Sequence, residues 1–318
     1  MNIILTGSIA YDYIMKFPGY FKDHILPEHL ELISLSFLVD EMVRQRGGVA
    51  ANIAYTLALL GARPHLVSTA GQDFDDYRLK LEAVGVDTSG VVIIEDKFTA
   101  SFFVNTDNDN AQIASFYTGA MADSANISLL GRNLTTEDLV VISPNDPTAM
   151  TKYAIECQQM GVPYVYDPGQ QIIRLGSEDL RVGVVGAHAL FVNEYEFQLL
   201  QKHTGMSAKE ILVAPQFTVV TLGKKGASIF ADGKEYNVPI IEGTPIVDPT
   251  GVGDAFRAGF LRGYQEGFGW ELCGQMGTVA AAFCLGYNGT QKHHFTVTEF
   301  VTEFRKCFDD HGQLDAIL

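Results

Sequence analysis

Asp248-Pro249-Thr250-Gly251-Val252-Gly253-Asp254, running directly into the helical stretch 255–264, sets an acidic side chain where a glycine loop becomes a helix. The first N–H groups of a helix lack intrahelical partners, and the macrodipole adds roughly half a positive charge there, so the junction suits an anion. Gly251 and Gly253 let a phosphate approach the backbone, because no Cβ stands in the way. Asp254 would only repel an anion that it helped to surround. As a base taking the proton of an attacking hydroxyl it has a place, and cradle and base together spell phosphoryl transfer to an alcohol. Taken alone, the segment also reads as an acidic N-cap on a tight loop.

Outward from this junction, short Val- and Ile-rich runs at 3–5, 66–68, 139–142, 164–166, 190–192 and 218–222 alternate with helical patterns. The helices are expected at 50–60, 75–84, 148–160, 194–202, 254–267, 271–285 and 297–308. Strands that read as continuous apolar runs are buried on both faces, so the alternation predicts a parallel α/β sheet covered by helices. In the helix after Asp254, Ala255, Gly259 and Gly263 recur beside Phe256, Phe260 and Tyr264, which predicts one face packed very close to the sheet. Segments 13–45 and 91–117 break the rhythm, with strand-like pieces at 32–38, 99–105 and 112–117. They are expected to form an antiparallel lid over the carboxyl ends of the strands, where ligands of open α/β sheets bind; a peripheral hairpin or dimer contact is the alternative.

With 318 residues, 47% of them hydrophobic, the chain can bury an ample core. Its 22 basic residues against 38 acidic ones leave a net charge of -16, which argues against nucleic acid and anionic membrane as partners. No apolar run approaches the length of a membrane span and the N-terminus is no secretory signal, so a cytoplasmic protein is expected. Cys157, Cys273, Cys284 and Cys307 lack metal or redox spacing, and the histidines form no zinc motif.

No Gly-x-x-x-x-Gly-Lys-Ser/Thr occurs, which excludes a P-loop enzyme, and Phe256 occupies the third glycine position of a dinucleotide fingerprint. A second glycine cluster, Arg46-Gly47-Gly48-Val49-Ala50-Ala51-Asn52, opens the helix at 50–60. There Asn52 can donate to and accept from hydroxyls. Asp12, after the first strand, could accept two hydrogen bonds from a vicinal diol, or could be a solvated loop carboxylate.

Residues 47–71 and 248–261 resemble the two signatures of the ribokinase-like, or PfkB, family of sugar and nucleoside kinases, in that family's order and separation. Gly47, Gly48, Ala50, Asn52, Ala54, Gly61 and Gly71 all keep the register of the first. The second departs at Val252, where the family has a small residue; since the backbone N–H is what serves there, valine fits while its φ stays negative. Stretches 6–10, 26–30, 34–40, 111–117 and 253–261 are similar to the bacterial adenosine kinases of the family. Ribokinases proper carry Gly-Gly-Lys-Gly where this chain has Val49 and Ala50 after Gly48, which counts against free ribose.

The resemblance implies a three-layer α/β fold with a mainly parallel sheet and a small antiparallel β lid, in one domain over 1–318. It implies phosphorylation of the adenosine 5'-hydroxyl by ATP with Mg2+. Kinases of ribose, inosine or cytidine, and a silent nucleoside-binding protein, stand as alternatives. By the same resemblance Asp254 is the general base, kept ionised by its helix dipole, and the N–H groups of Gly251, Val252 and Gly253 form an anion hole. Ser8, Asp12, Ser36, Gly48 and Asn52 surround the ribose. Phe102 and Phe116 sandwich the adenine, although alternation along a strand also fits core packing, and Gln170 and Gln171 line the nucleoside site. Arg174, otherwise a surface helix arginine, neutralises phosphate charge. Asn193 and Glu196 handle Mg2+ through water, and Thr221, Gly223, Lys225 and Gly226 form the ATP loop. Asp248 and Thr250 match positions that hold a potassium-type cation in several members. A homodimer through the lid is implied as well.

Overall fold

Residues 1–25 and 34–318 are described by the structure, a computed structural model. In chain order the elements are β1 (Ile3–Thr6), β2 (Ala10–Lys16), β3 (Glu41–Gly47), α1 (Val49–Leu59), β4 (His65–Val67), β5 (Thr69–Gly71), α2 (Asp75–Val84), β6 (Val92–Ile94), β7 (Ala100–Thr106) and β8 (Gln112–Tyr117). Then follow β9 (Leu139–Ile142), α3 (Pro147–Met160), β10 (Tyr164–Tyr166), α4 (Ser177–Val185), β11 (Ala189–Asn193), α5 (Glu194–Thr204), α6 (Ala208–Val213), β12 (Phe217–Thr221), β13 (Ala227–Ala231), β14 (Lys234–Val238), α7 (Val252–Gln265), α8 (Trp270–Leu285) and α9 (Val297–Cys307).

The main sheet has the order β14-β13-β12-β11-β10-β9-β1-β4. It is parallel from β4 to β12 and closes with an antiparallel hairpin at β13 and β14. Successive side chains of a strand face opposite ways, and the core divides accordingly. Ile3, Leu5, Leu139 and Val141 join a cluster with α1, α2 and α7, whereas Ile4, Val140 and Ile142 join another with α3, α4 and α5. This is why the strands read as unbroken apolar runs: both faces are covered.

Phe256 and Phe260 of α7 join the sheet-side cluster, with Phe260 edge-on to Phe191 at 5.2 Å. The small residues correct the expected packing. A Cβ on Gly259 would lie 2.4 Å from the Met276 carbonyl oxygen, and one on Gly263 would lie 3.0 Å from the Met276 sulfur. The glycine stripe therefore admits α8, not the sheet, because rings fill the gap to a sheet while bare backbone allows a helix to approach.

A separate sheet, formed by the segments expected to make the lid, has four strands in the order β3-β2-β7-β8, antiparallel at β2–β3 and β7–β8 and parallel at β2–β7. The strand expected at 32–38 is displaced. Positions 32 and 33 and the stretch 26–30 lie outside the described residues, 34–39 have no regular structure, and β3 starts at Glu41. Pairing decides this: β3 matches β2 residue for residue, from Ala10 opposite Gly47 to Lys16 opposite Glu41. Among the described residues no helix is long and apolar enough to cross a membrane.

Candidate active site

Gly251 caps α7 with φ 77, in the left-handed region that favours glycine. A Cβ there would meet the Thr290 side chain at 2.9 Å. Val252 begins the helix and is not among the non-glycine residues of positive φ, so the departure at this position is accommodated. Among the described residues the N–H groups of Gly251, Gly253 and Asp254 donate to no backbone carbonyl, and that of Val252 makes one long bond, 3.4 Å, to Pro249. The junction thus keeps its donors for an anion.

Asp254, on the first turn, is half-buried, and its Oδ2 accepts from Asn52 Nδ2 at 2.8 Å. Burial pushes the Asp254 carboxyl up from its ordinary range, with Glu196 adding to the rise while Arg257 and the Asn52 hydrogen bond oppose it. Desolvation is the largest of these influences, and a raised carboxyl is the stronger base when ionised.

Asn52 is placed by the diglycine. Gly48 has φ 94, and a Cβ there would sit 2.5 Å from the Ser8 carbonyl oxygen and 2.7 Å from the Ala10 nitrogen. Ser8 Oγ accepts from Val49 N at 3.0 Å and keeps its own proton to donate. Across the lid, Gln45, Asp12, Phe102 and Phe116 are successive register partners on β3, β2, β7 and β8. Directly opposed residues share a face, so a carboxylate and two rings stand in one row. Burial pushes the Asp12 carboxyl to about 6, with the Asp248 charge adding to the rise.

At the carboxyl ends of the main strands, Asp167 follows β10 and is wholly buried against Arg257, whose Nη2 donates to Oδ1 at 2.9 Å and whose Nε stands 2.6 Å from Oδ2. Gln171 is buried with its Oε1 unpartnered among the described residues, while Gln170 is exposed. Asn193 and Glu196 form a capping box on α5, with Asn193 Oδ1 accepting from Glu196 N and Glu196 Oε2 accepting from Asn193 N, both at 2.8 Å. Glu196 keeps Oε1, which suits an ion held through water. Thr221 is the register partner of Asn193, so the loop of Gly223 and Gly226 lies beside that cap. A Cβ on Gly226 would fall 2.0 Å from the Val238 carbonyl oxygen. Lys225 is exposed, 3.8 Å from Glu194. Asp248 accepts from Thr250 N and from Gly289 N, both at 2.9 Å, leaving each carboxylate oxygen a lone pair that fits a monovalent cation.

Two further candidates lie at the surface. Arg174 is exposed and lines a cavity of about 690 Å³ with Lys152, Glu156 and Asp179, to which the 248–254 loop contributes nothing. Ser36 is exposed in the irregular stretch before β3. The cation beside Asp254 is Arg257, one helical turn onward, a spacing already visible in the sequence. Gln45, Asp167, Tyr77 and Gln291 were missed with less reason to find them, since nothing in their local sequence links them to the loop.

The model of a family described as pfkB family carbohydrate kinase matches residues 21–295. A nucleoside kinase of Methanothermobacter thermautotrophicus is 30% identical over 308 residues, covering 95% of this chain and 95% of its own. The solved nucleoside kinase of Burkholderia thailandensis in complex with inosine superposes with a TM-score of 0.85 at 33% identity, covering 96% of this chain and 98% of its own. That protein has also been solved in complex with ADP-inosine, with a TM-score of 0.82 at 36% identity and 96% of both chains covered. The nucleoside kinase of Methanocaldococcus jannaschii, an archaeal member of the ribokinase family, gives a TM-score of 0.85 at 28% identity, covering 96% of this chain and 99% of its own.

Proposed function

We propose, on the premise that this chain belongs to the pfkB family of carbohydrate kinases, that it transfers the γ-phosphoryl group of ATP to the 5'-hydroxyl of adenosine. It is a phosphotransferase with a hydroxyl acceptor, of the sugar and nucleoside kinase class, on a ribokinase-like fold. The observation that carries transfer to a hydroxyl is Asp254, half-buried, oriented by Asn52 at 2.8 Å, on the same helical turn as the N–H groups of Gly251 and Gly253, which have no backbone partner among the described residues.

In this reading Asp254 takes the 5'-hydroxyl proton as that oxygen bonds to the γ-phosphorus and the bond to ADP breaks in line. The N–H groups of residues 251–253 hold the charge gathering on the phosphoryl oxygens. Asp12, Ser8 and Asn52 hold the ribose hydroxyls, and Phe102 and Phe116 flank the base. Mg2+, held through water by Glu196, would neutralise phosphate charge when bound; Asp248 and Thr250 offer oxygens to a monovalent cation. We read residues 1–318 as one kinase domain, and exposed lid residues such as Met42, Val43 and Ile113 as the face of a homodimer.

Inosine is the second reading, favoured by its complex with a relative 33% identical. An ATP-consumption assay with adenosine, inosine, cytidine and ribose decides. Turnover highest with adenosine is expected; a clear preference for ribose would overturn the acceptor and leave the kinase class standing.

A further inference from the structure

The side chain of Asn52 has an oxygen and a nitrogen of nearly equal shape, and its own sequence does not say which one meets Asp254. The surrounding hydrogen bonds do. A chain of contacts starts at the Gly47 carbonyl, which can only accept. Tyr77, wholly buried, donates its hydroxyl proton to that oxygen at 2.8 Å, which leaves the hydroxyl lone pair to accept from Gln291 Nε2. The second proton of Gln291 Nε2 goes to Asn52 Oδ1 at 2.8 Å, so the remaining end of Asn52 is Nδ2, and it donates to Asp254 Oδ2 at 2.8 Å. Every link has one allowed direction once the first is set.

Gln291 is itself held from three sides. In the turn that carries it, Asn288 Oδ1 accepts from Gln45 of the lid at 3.1 Å, Gly289 N donates to Asp248, and Thr290 Oγ1 donates to the Arg46 carbonyl at 2.8 Å. We propose that Gln291 is a positioning residue for phosphoryl transfer: it locks the Asn52 amide with nitrogen toward Asp254 Oδ2, leaving Asp254 Oδ1 to receive the acceptor's proton. This rests on the reading of Asp254 as the base.

Without Gln291 the Asn52 amide can turn and present its oxygen to the carboxylate, which disfavours the ionised form and raises the pH needed for turnover. The other groups facing Asp254 are Arg257 on its own helix, Asp167 after β10, Glu196 on α5 and Cys284 on α8. None of them bonds to Gln291, so Gln291→Leu leaves them in place.

The test is the pH dependence of kcat for the wild type, Gln291→Leu, Gln291→Glu, Asn52→Leu, the Gln291→Leu/Asn52→Leu pair and Asp254→Asn, with melting temperatures alongside. On the acidic limb Gln291→Leu should lower kcat by about tenfold, which moves that limb up by about one pH unit, and it should raise KM less than it lowers kcat. Adding it to Asn52→Leu should move the limb no further. Gln291→Glu, isosteric but accepting where Gln291 donates, should lose as much, and it serves if the leucine variant fails to fold. An unmoved limb in Gln291→Leu, a further shift in the Asn52→Leu background, or wild-type kcat in Gln291→Glu overturns the role of Gln291. Turnover and a wild-type limb surviving in Asp254→Asn overturn the base, and the positioning role with it.

Discussion

Asp254→Asn separates proton acceptance from binding. The substituted amide keeps an oxygen for Asn52 Nδ2 at the present 2.8 Å, so the contact that positions the acceptor survives. Arg257 keeps Asp167 at 2.6 and 2.9 Å and is not left as an unpaired buried charge. The fold should therefore hold, with a melting temperature within a few degrees, while the base is lost. Removing a general base costs about 10²- to 10⁴-fold in rate, roughly 3 to 5.5 kcal/mol at about 1.4 kcal/mol per tenfold. Burial has raised this carboxyl above its ordinary range, which strengthens it as a base. The assay is kcat from ADP release at saturating acceptor and ATP, with acceptor affinity measured calorimetrically on the same preparation. The wild-type kcat should fall as the pH drops through the raised Asp254 pKa, and the variant should lack that limb. Turnover within tenfold of wild type at unchanged affinity would refute the reasoning.

Asp12→Asn should trade binding for stability. Because the folded pKa is raised to about 6 from an ordinary 3.8, the ionised carboxylate destabilises the fold fully above pH 6 and not below pH 4. The variant should be more stable than wild type by about 1 to 3 kcal/mol at pH 8, a gain that fades as the pH falls from 6 toward 4 in denaturant titrations, and it should bind nucleoside more weakly. Phe116→Ala should cost about 1 to 3 kcal/mol of nucleoside affinity if the ring stacks on the base. By calorimetry Phe103→Ala, on the other face of β7 and stacked on Tyr13 at 4.8 Å, should leave affinity unchanged; equal losses would refute the stacking role. Gly48→Ala forces a Cβ to 2.5 Å from backbone at φ 94, so it should destabilise by about 2 to 5 kcal/mol, read as a lowered denaturation midpoint.

The parallel strands and most helices were legible because burial on both faces and on one stripe leaves period and composition in the local sequence. β9 and β10 start and stop where the apolar runs do, and α2 spans the expected 75–84. The lid was harder. Leu35 and Leu38 gave the stretch before β3 a strand-like look, yet they are exposed, and β3 is placed by its pairing with β2. The glycine stripe of α7 was visible, but its partner was not, since a row of small residues says that something comes close without saying what.

The site divides along the same line. By itself the sequence determined the anion loop, the acid on its helix and the diglycine that leads to Asn52, because each depends on neighbours a few residues apart and on backbone conformations that only glycine readily takes. Tertiary structure alone decided that Arg257 pairs with Asp167, that Gln45, Asp12, Phe102 and Phe116 stand in one row, and that Gln291 reaches Asn52 from 239 positions away. Hydrogen-bond polarity and desolvation belong to the assembled surroundings of a group, and no local spacing encodes them.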